Sequence, residues 1–136
     1  MRIKKYYTGV FRNIDGTEKS KILVKGQQKF LSKLEDDGFN INRGRILYDI
    51  GKPREKGTDV KISIDLVIEA IEDLYDTAIL ISSDTDLIPA LQYVRRKNKK
   101  IEYIGFSHAP SFGIQKNVNF SRLLLPSDIM NFKEGN

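Results

Sequence analysis

KGTDVKISIDLVIEAIEDLYDTAILISSDTDLIPAL, residues 56–91, carries the sharpest pattern in the chain and decides how the rest is read. Val60, Ile64, Val67, Ile71 and Leu74 recur at intervals of four, three, four and three, the spacing of one face of an α-helix. Thr58 stands where an N-cap is expected. Residues 77–82 (TAILIS) follow as a continuous apolar run framed by polar residues, the pattern of a strand buried on both faces of a parallel sheet. A second helix is predicted over residues 86–97, with Pro89 tolerable in its first turn. Helix, strand and helix in this order imply parallel strands joined by helical crossovers.

Outward from this stretch the signals are weaker. Residues 101–106 read as a strand and 107–117 as a loop of small and polar residues, while 119–132 is ambiguous and broken by Pro126. On the other side, residues 3–10 are strand-like and 13–16 form a turn, since Asp15-Gly16 tolerates positive φ. Residues 22–37 read as a helix with Leu23, Phe30, Leu31 and Leu34 on its apolar side and Gly38 to end it. Residues 39–50 alternate loosely as a strand, and 51–57, with Pro53 and four charges, read as a loop. The expectation is an α/β fold, a mainly parallel sheet with helices on both faces, in one domain over residues 1–136 with no repeat or linker.

Composition narrows the chemistry. The 136 residues are 40% apolar and 30% charged, which fits neither a disordered tail nor a membrane protein. There is no cysteine, so disulfides, thiolate metal sites and cysteine nucleophiles are excluded. His108 is the only histidine, which rules out sites with several imidazole ligands, and nothing around it resembles a nucleophile elbow. Carboxylates, hydroxyls and backbone groups remain. Apolar runs are too short to span a bilayer, and the basic start, Met1 to Lys5, has no apolar signal core behind it; the expected location is the cytoplasm. The net charge of +5 is compatible with a nucleic-acid partner without requiring one.

Asp84 and Asp86 fall just past the apolar strand, where a helix begins, and ligands in open α/β sheets bind outside the carboxyl ends of the strands. Taken alone, one of the two is simply an N-cap. Asp59 opens the preceding helix, where an acid suits the helix dipole. Asp65 lies six residues on, about 240° around the helix, and does not share a narrow face with Asp59. If Asp59, Asp84 and Asp86 converge, their carboxylates repel unless a hard divalent cation joins them, and Mg²⁺ or Mn²⁺ takes such oxygen ligands while keeping water for attack on a phosphodiester.

These residues resemble the NYN domain, in its LabA-like branch, within the PIN-like nuclease superfamily. The resemblance rests on Lys56-Gly57-x-Asp59-Val60, on Asp65 six residues after Asp59, on Asp76-x-Ala78 at the start of the strand, and on Ser82-x-Asp84-x-Asp86 before the helix. Weaker similarity extends to Tyr6-Tyr7-Thr8-Gly9, to residues 30–39, and to Ser121, Leu124 and Asp128. The resemblance implies a PIN-like three-layer α/β/α sandwich and metal-dependent RNA cleavage. By matching position it implies Asp59, Asp84 and Asp86 as catalytic metal-site acids, Asp65 as a fourth metal ligand, and Ser82 and Ser83 as shapers of the loop near the metal or the scissile phosphate. One departure stands out: the family opens with a strand ending in Asp, and no residue before Tyr6 matches it. Truncation, a strand from another subunit, and loss of cleavage each account for this. An exposed sheet edge would also favour a homodimer.

Lys52, Arg54 and Lys56, just before Asp59, are placed to guide a phosphate backbone, with a solvated loop as the plainer reading. Arg95, Arg96, Lys97, Lys99 and Lys100 suit the end of a helix dipole as well as phosphate contact. The leading expectation is therefore a Mg²⁺- or Mn²⁺-dependent endoribonuclease, impaired if the first Asp is missing. The alternative is a non-catalytic module that binds RNA or protein through its basic loops. Asp-x-Asp after an apolar strand also resembles haloacid-dehalogenase phosphatases, but Leu87-Ile88-Pro89 and the lack of a downstream acidic pair depart from that pattern.

Overall fold

Thr17 opens the first helix, its hydroxyl accepting from the Ser20 amide at 3.2 Å. The computed structural model describes residues 2–10, 16–49 and 52–133, in two compact units, Met1–Thr58 and Asp59–Asn136. In the first unit, strand β1 (Lys4–Gly9), helix α1 (Glu18–Asp36), strand β2 (Phe39–Asp49) and strand β3 (Lys52–Lys56) follow in order. α1 starts four residues before the expected position because its first turn is polar and carries no apolar period; the Thr17 cap fixes it. Its end is as expected, at Gly38 with φ +90°. Leu31 is buried, and Phe30 meets Tyr6 edge-on at 5.7 Å while remaining half exposed. Of the turn expected over residues 13–16, only Gly16 (φ +69°) lies within the described residues.

β2 serves two partners. Its first half pairs in parallel with β1, Lys4 opposite Phe39 through Gly9 opposite Gly44. Its second half pairs antiparallel with β3, Arg45 opposite Lys56 through Asp49 opposite Lys52. The loop expected over residues 51–57 is therefore largely a strand. Pro53 and the charges are loop signals in the sequence, but β3 is an edge strand, where a missing N–H and charged residues are both tolerated.

The second unit contains the body of helix α2 (Thr58–Ile71), strand β4 (Thr77–Leu80), a 3-10 turn (Thr85–Leu87), helix α3 (Ile88–Arg96), strand β5 (Lys100–Phe106), helix α4 (Phe112–Gln115), strand β6 (Phe120–Leu124) and helix α5 (Pro126–Lys133). Its strands run in the order β4-β5-β6, and both pairings are parallel. The α/β class and the parallel pairing agree with the sequence reading. The ambiguous stretch 119–132 divides into β6 and α5, with Pro126 at the first helical position, where its lack of an N–H costs nothing. The loop 107–117 contains α4, capped by Ser111.

The core of this unit gathers Leu87, Leu91 and Val94, spaced i, i+4, i+7 and fully buried, against Leu80, Ile101, Tyr103, Ile114 and Val118. Two expectations need correction. The α2 stripe at Val60, Ile64, Ile71 and Leu74 is exposed, Val60 at 56%, whereas Ala70 is buried and Ile62, Leu66, Val67 and Tyr75 pack on the core. Apolar residues cover two adjoining faces of α2, and periodicity alone does not tell which meets the core. β4 is likewise not buried on both faces: Leu80 is buried while Ile79 is 62% and Ile81 66% exposed. The buried cluster forms on the sheet face of Leu80, Ile101 and Tyr103, and β4 is a terminal strand. No helix among the described residues is long and apolar enough to cross a membrane.

Tyr103 and Gly105 form one packing unit. They are two residues apart on β5 and share a face, and the fully buried Tyr103 ring lies over Gly105. Its hydroxyl accepts from the Ser111 amide at 3.2 Å, tying the loop before α4 to the strand. A Cβ added at Gly105 would overlap this hydroxyl and come within 2.5 Å of Cζ. Gly105→Ala should therefore lower stability by about 1–3 kcal/mol through overpacking, and Tyr103→Phe by about 1 kcal/mol through the lost acceptor. Chemical denaturation of the two variants beside the wild type checks both, and an unchanged midpoint for Gly105→Ala would contradict this packing.

Candidate metal centre

The site is built from two segments of the second unit. Asp59 lies in the first turn of α2, just after Gly57, whose φ of +84° lets the chain turn from β3 into the helix. Thr58 does not act as the expected cap: its buried Oγ1 has no hydrogen-bond partner among the described residues and lies against Gly44. The second segment is the loop leaving β4. Asp84 is extended (φ −74°, ψ 109°) and caps the 3-10 turn, its Oδ1 accepting from the Asp86 amide at 2.9 Å. The Asp84 amide in turn donates to Ser82 Oγ at 3.2 Å, and its carbonyl accepts from the Leu87 amide at 3.2 Å. Leu87, fully buried, pins the far end of this loop to the core.

This bracing brings one carboxylate oxygen each from Asp59, Asp84 and Asp86 within 4.8 Å of one another. Asp59 is half-buried and the other two are exposed. One side chain thus caps the turn through Oδ1, as the plain reading of Asp84 has it, and also belongs to the three-acid group. Like-charged groups at this spacing repel, and a divalent cation relieves the repulsion. Two oxygens on one Mg²⁺ sit at most about 4.2 Å apart, twice the usual bond length of about 2.1 Å. The spacing therefore fits a shared cation after small side-chain adjustments or with a bridging water. An all-carboxylate set suits Mg²⁺ or Mn²⁺ and not zinc, which takes histidine or cysteine in most sites.

The other residues singled out from the sequence are placed as follows. Asp65 is outside the acid group, and its carboxylate pairs with Lys61 Nζ at 3.1 Å, one helical turn away. Ser82 braces the loop, and Ser83 is exposed beside it. Lys56 is exposed, three residues before Asp59 in the chain. Lys52 and Arg54 are on β3, but their side chains lie outside the described residues. Leu87 is the positioning residue that sequence reading passed over. The apolar spacing Leu87, Leu91, Val94 directly after Asp84-Thr85-Asp86 was the available signal.

The family model for the NYN domain matches residues 2–121, which covers most of the chain and both units. The chain belongs to the NYN domain family. Membership puts it in a nuclease-type superfamily whose members generally use divalent metals, in keeping with the acid group. Its fold is similar to the crystal structure of a protein of unknown function from Vibrio parahaemolyticus, with a TM-score of 0.67 and 22% sequence identity. That similarity covers 90% of this chain and 68% of the Vibrio chain. No curated protein matches this NYN chain.

Asp84→Asn separates the two duties of this residue. Asn caps as well as Asp, and one negative charge leaves the cluster. Without metal the variant should therefore melt no lower than the wild type, while Asp84→Ala should lose about 1 kcal/mol. Added Mn²⁺ should raise the wild-type melting temperature and leave that of Asp84→Asn nearly unmoved. Thermal melts across a Mn²⁺ titration check this; an equal shift in both proteins would remove Asp84 from the metal site.

Proposed function

We propose that this NYN domain is a metal-dependent endoribonuclease acting on RNA phosphodiesters in the cytoplasm. The observation that carries the reading is the approach of three carboxylate oxygens to within 4.8 Å at the end of β4 and the start of α2. Asp59, Asp84 and Asp86 would hold Mg²⁺ or Mn²⁺, and the bound ion supplies charge neutralisation at the phosphate and an acidified water. The chain's own residues do the positioning. The Asp86 amide fixes the orientation of the Asp84 carboxylate, and Ser82 holds the loop that carries both acids. Ser83, exposed on the same loop, is read as a contact to the scissile phosphate. Lys52, Arg54 and Lys56 are read as cations that draw the RNA backbone toward Asp59, and Asp65 as a support of α2 through Lys61.

A second reading keeps the fold and drops the chemistry. It draws on the size of the acid set: among the described residues no fourth carboxylate joins Asp59, Asp84 and Asp86. In that case the domain binds RNA or a protein without turnover.

Purified protein should cut single-stranded RNA with Mn²⁺ or Mg²⁺, stop in EDTA, and lose at least about 100-fold in rate on Asp84→Asn, as expected when a group that stabilises developing charge is removed. Equal cleavage in EDTA would defeat the metal mechanism. RNA binding that survives Asp84→Asn, with no cleavage under any metal, would favour the binding module.

Among the described residues β4 is a terminal strand of its sheet, with Ile79 and Ile81 exposed, and this supports a homodimer formed by edge pairing. Light scattering should then give twice the chain mass, reverting to one chain on Ile79→Lys; a monomer across the accessible concentration range would dismiss it.

A further inference from the structure

Three carboxylates repel a phosphate backbone as strongly as they attract a cation, so RNA held at this site needs attraction from elsewhere on the protein. α3 supplies it. The helix starts beside Asp86 and ends in a run of cations, with Leu91 and Val94 buried on one side and Pro89, Gln92, Tyr93 and Arg96 on the other. This outer side runs from the acids to the cations over about 15 Å, ten residues at about 1.5 Å each. At the end of it the Tyr93 ring is flanked by Arg96, whose guanidinium carbon lies 5.4 Å from the ring centroid, and by Lys97 Nζ at 5.5 Å.

The five cations of this run are not equivalent. Lys99 is engaged with Asp73 and lies 3.8 Å from Asp76. Among the described residues no ion pair involves Arg95, Arg96, Lys97 or Lys100. The helix dipole favours cations at a C-terminus; it does not call for two of them, Arg96 and Lys97, to flank an aromatic ring without a carboxylate partner among the described residues. A ring with neighbouring Arg and Lys is the arrangement that stacks a base and holds its phosphate in single-strand binding.

Resting on the nuclease reading above, we propose that the outer side of α3 is the docking track for the RNA strand. A base stacks on Tyr93, and Arg96 and Lys97 turn from the ring to the flanking phosphates. Tyr93 lies seven residues from Asp86, about 10 Å along the helix, so at a stacked rise of about 3.4 Å per nucleotide the subsite and the scissile phosphate are about three nucleotides apart. The track thus sets a minimum substrate length.

The test is fluorescence anisotropy of labelled oligouridylates of two to eight nucleotides on the full chain in EDTA, where no cleavage interferes. Affinity should rise with length up to about three nucleotides, which cover the track, and level off where the strand meets the metal-free acids. Arg96→Gln with Lys97→Gln should flatten the dependence of log K on log salt by about 1.4, two phosphates at about 0.7 each for a single strand. Tyr93→Ala should weaken the long oligomers about tenfold, within the usual range for one stacked base, and Tyr93→Phe should not. All these side chains are at least partly exposed, and an unchanged melt confirms that each variant folds. Unchanged affinity and salt slope in the double variant would overturn the track, whether or not the protein cleaves RNA. Patch-dependent binding without cleavage under any metal would retain the track and defeat the nuclease reading. Preference of the patch for anionic phosphatidylglycerol vesicles over RNA would overturn the RNA assignment.

Discussion

Burial of Leu87, Leu91 and Val94 under the sheet of the second unit is the constraint on which the site depends. These residues press one side of α3 onto Leu80, Ile101 and Tyr103. Because Leu87 is the last residue of the 3-10 turn, the same burial anchors the loop that carries Asp84 and Asp86. Of the acids, Asp84 contributes to holding that loop through its cap on the Asp86 amide. Their position follows from apolar packing beneath them and from two short hydrogen-bonded turns, Ser82 to Asp84 and Asp84 to Asp86. A cluster of like charges is thus held mainly by apolar packing, which salt barely affects, and this lets the carboxylates repel one another without unravelling the backbone that carries them.

Most of the second unit was legible in the sequence for the same reason. Long apolar periods and a short apolar run define α2, β4 and α3, and these segments follow their own pattern. What the pattern does not contain is direction. α2 carries apolar residues over more than half its circumference, so the stripe at Val60, Ile64 and Ile71 looks core-facing by period while Leu66 and Ala70 hold that place. The choice is made by tertiary contact, which lies outside any single helix. β3 escaped for a different reason. Its hydrogen bonds come from β2, and an edge strand tolerates the proline and charges that normally announce a loop.

The site was legible in its residue types and only in part in its assembly. Acids at the start of one helix and at the end of the next strand are frequent, and each has a plain explanation as a cap or a dipole partner. Their approach depends on how α2 crosses to β4, a three-dimensional matter. Asp65 shows the converse. It matches the family's pattern as well as the others do, yet it lies on another side of α2, where Lys61 one turn away takes its charge. Position in a motif specified the side chain; helical phase decided what it met.

The packing of Tyr103 over Gly105 has an optical consequence. The chain contains no tryptophan and six tyrosines, so tyrosine dominates both its intrinsic emission and its near-ultraviolet dichroism. Tyr6, Tyr7 and Tyr48 belong to the first unit, and Tyr75, Tyr93 and Tyr103 to the second. Tyr103 is almost wholly sequestered from solvent, with its hydroxyl fixed by the Ser111 amide. A phenol held in one asymmetric environment gives a strong dichroic band, and that band disappears when the surrounding packing loosens. The molecule therefore carries its own label for the melting of the lobe that bears the acids, and no engineered fluorophore is needed to follow it.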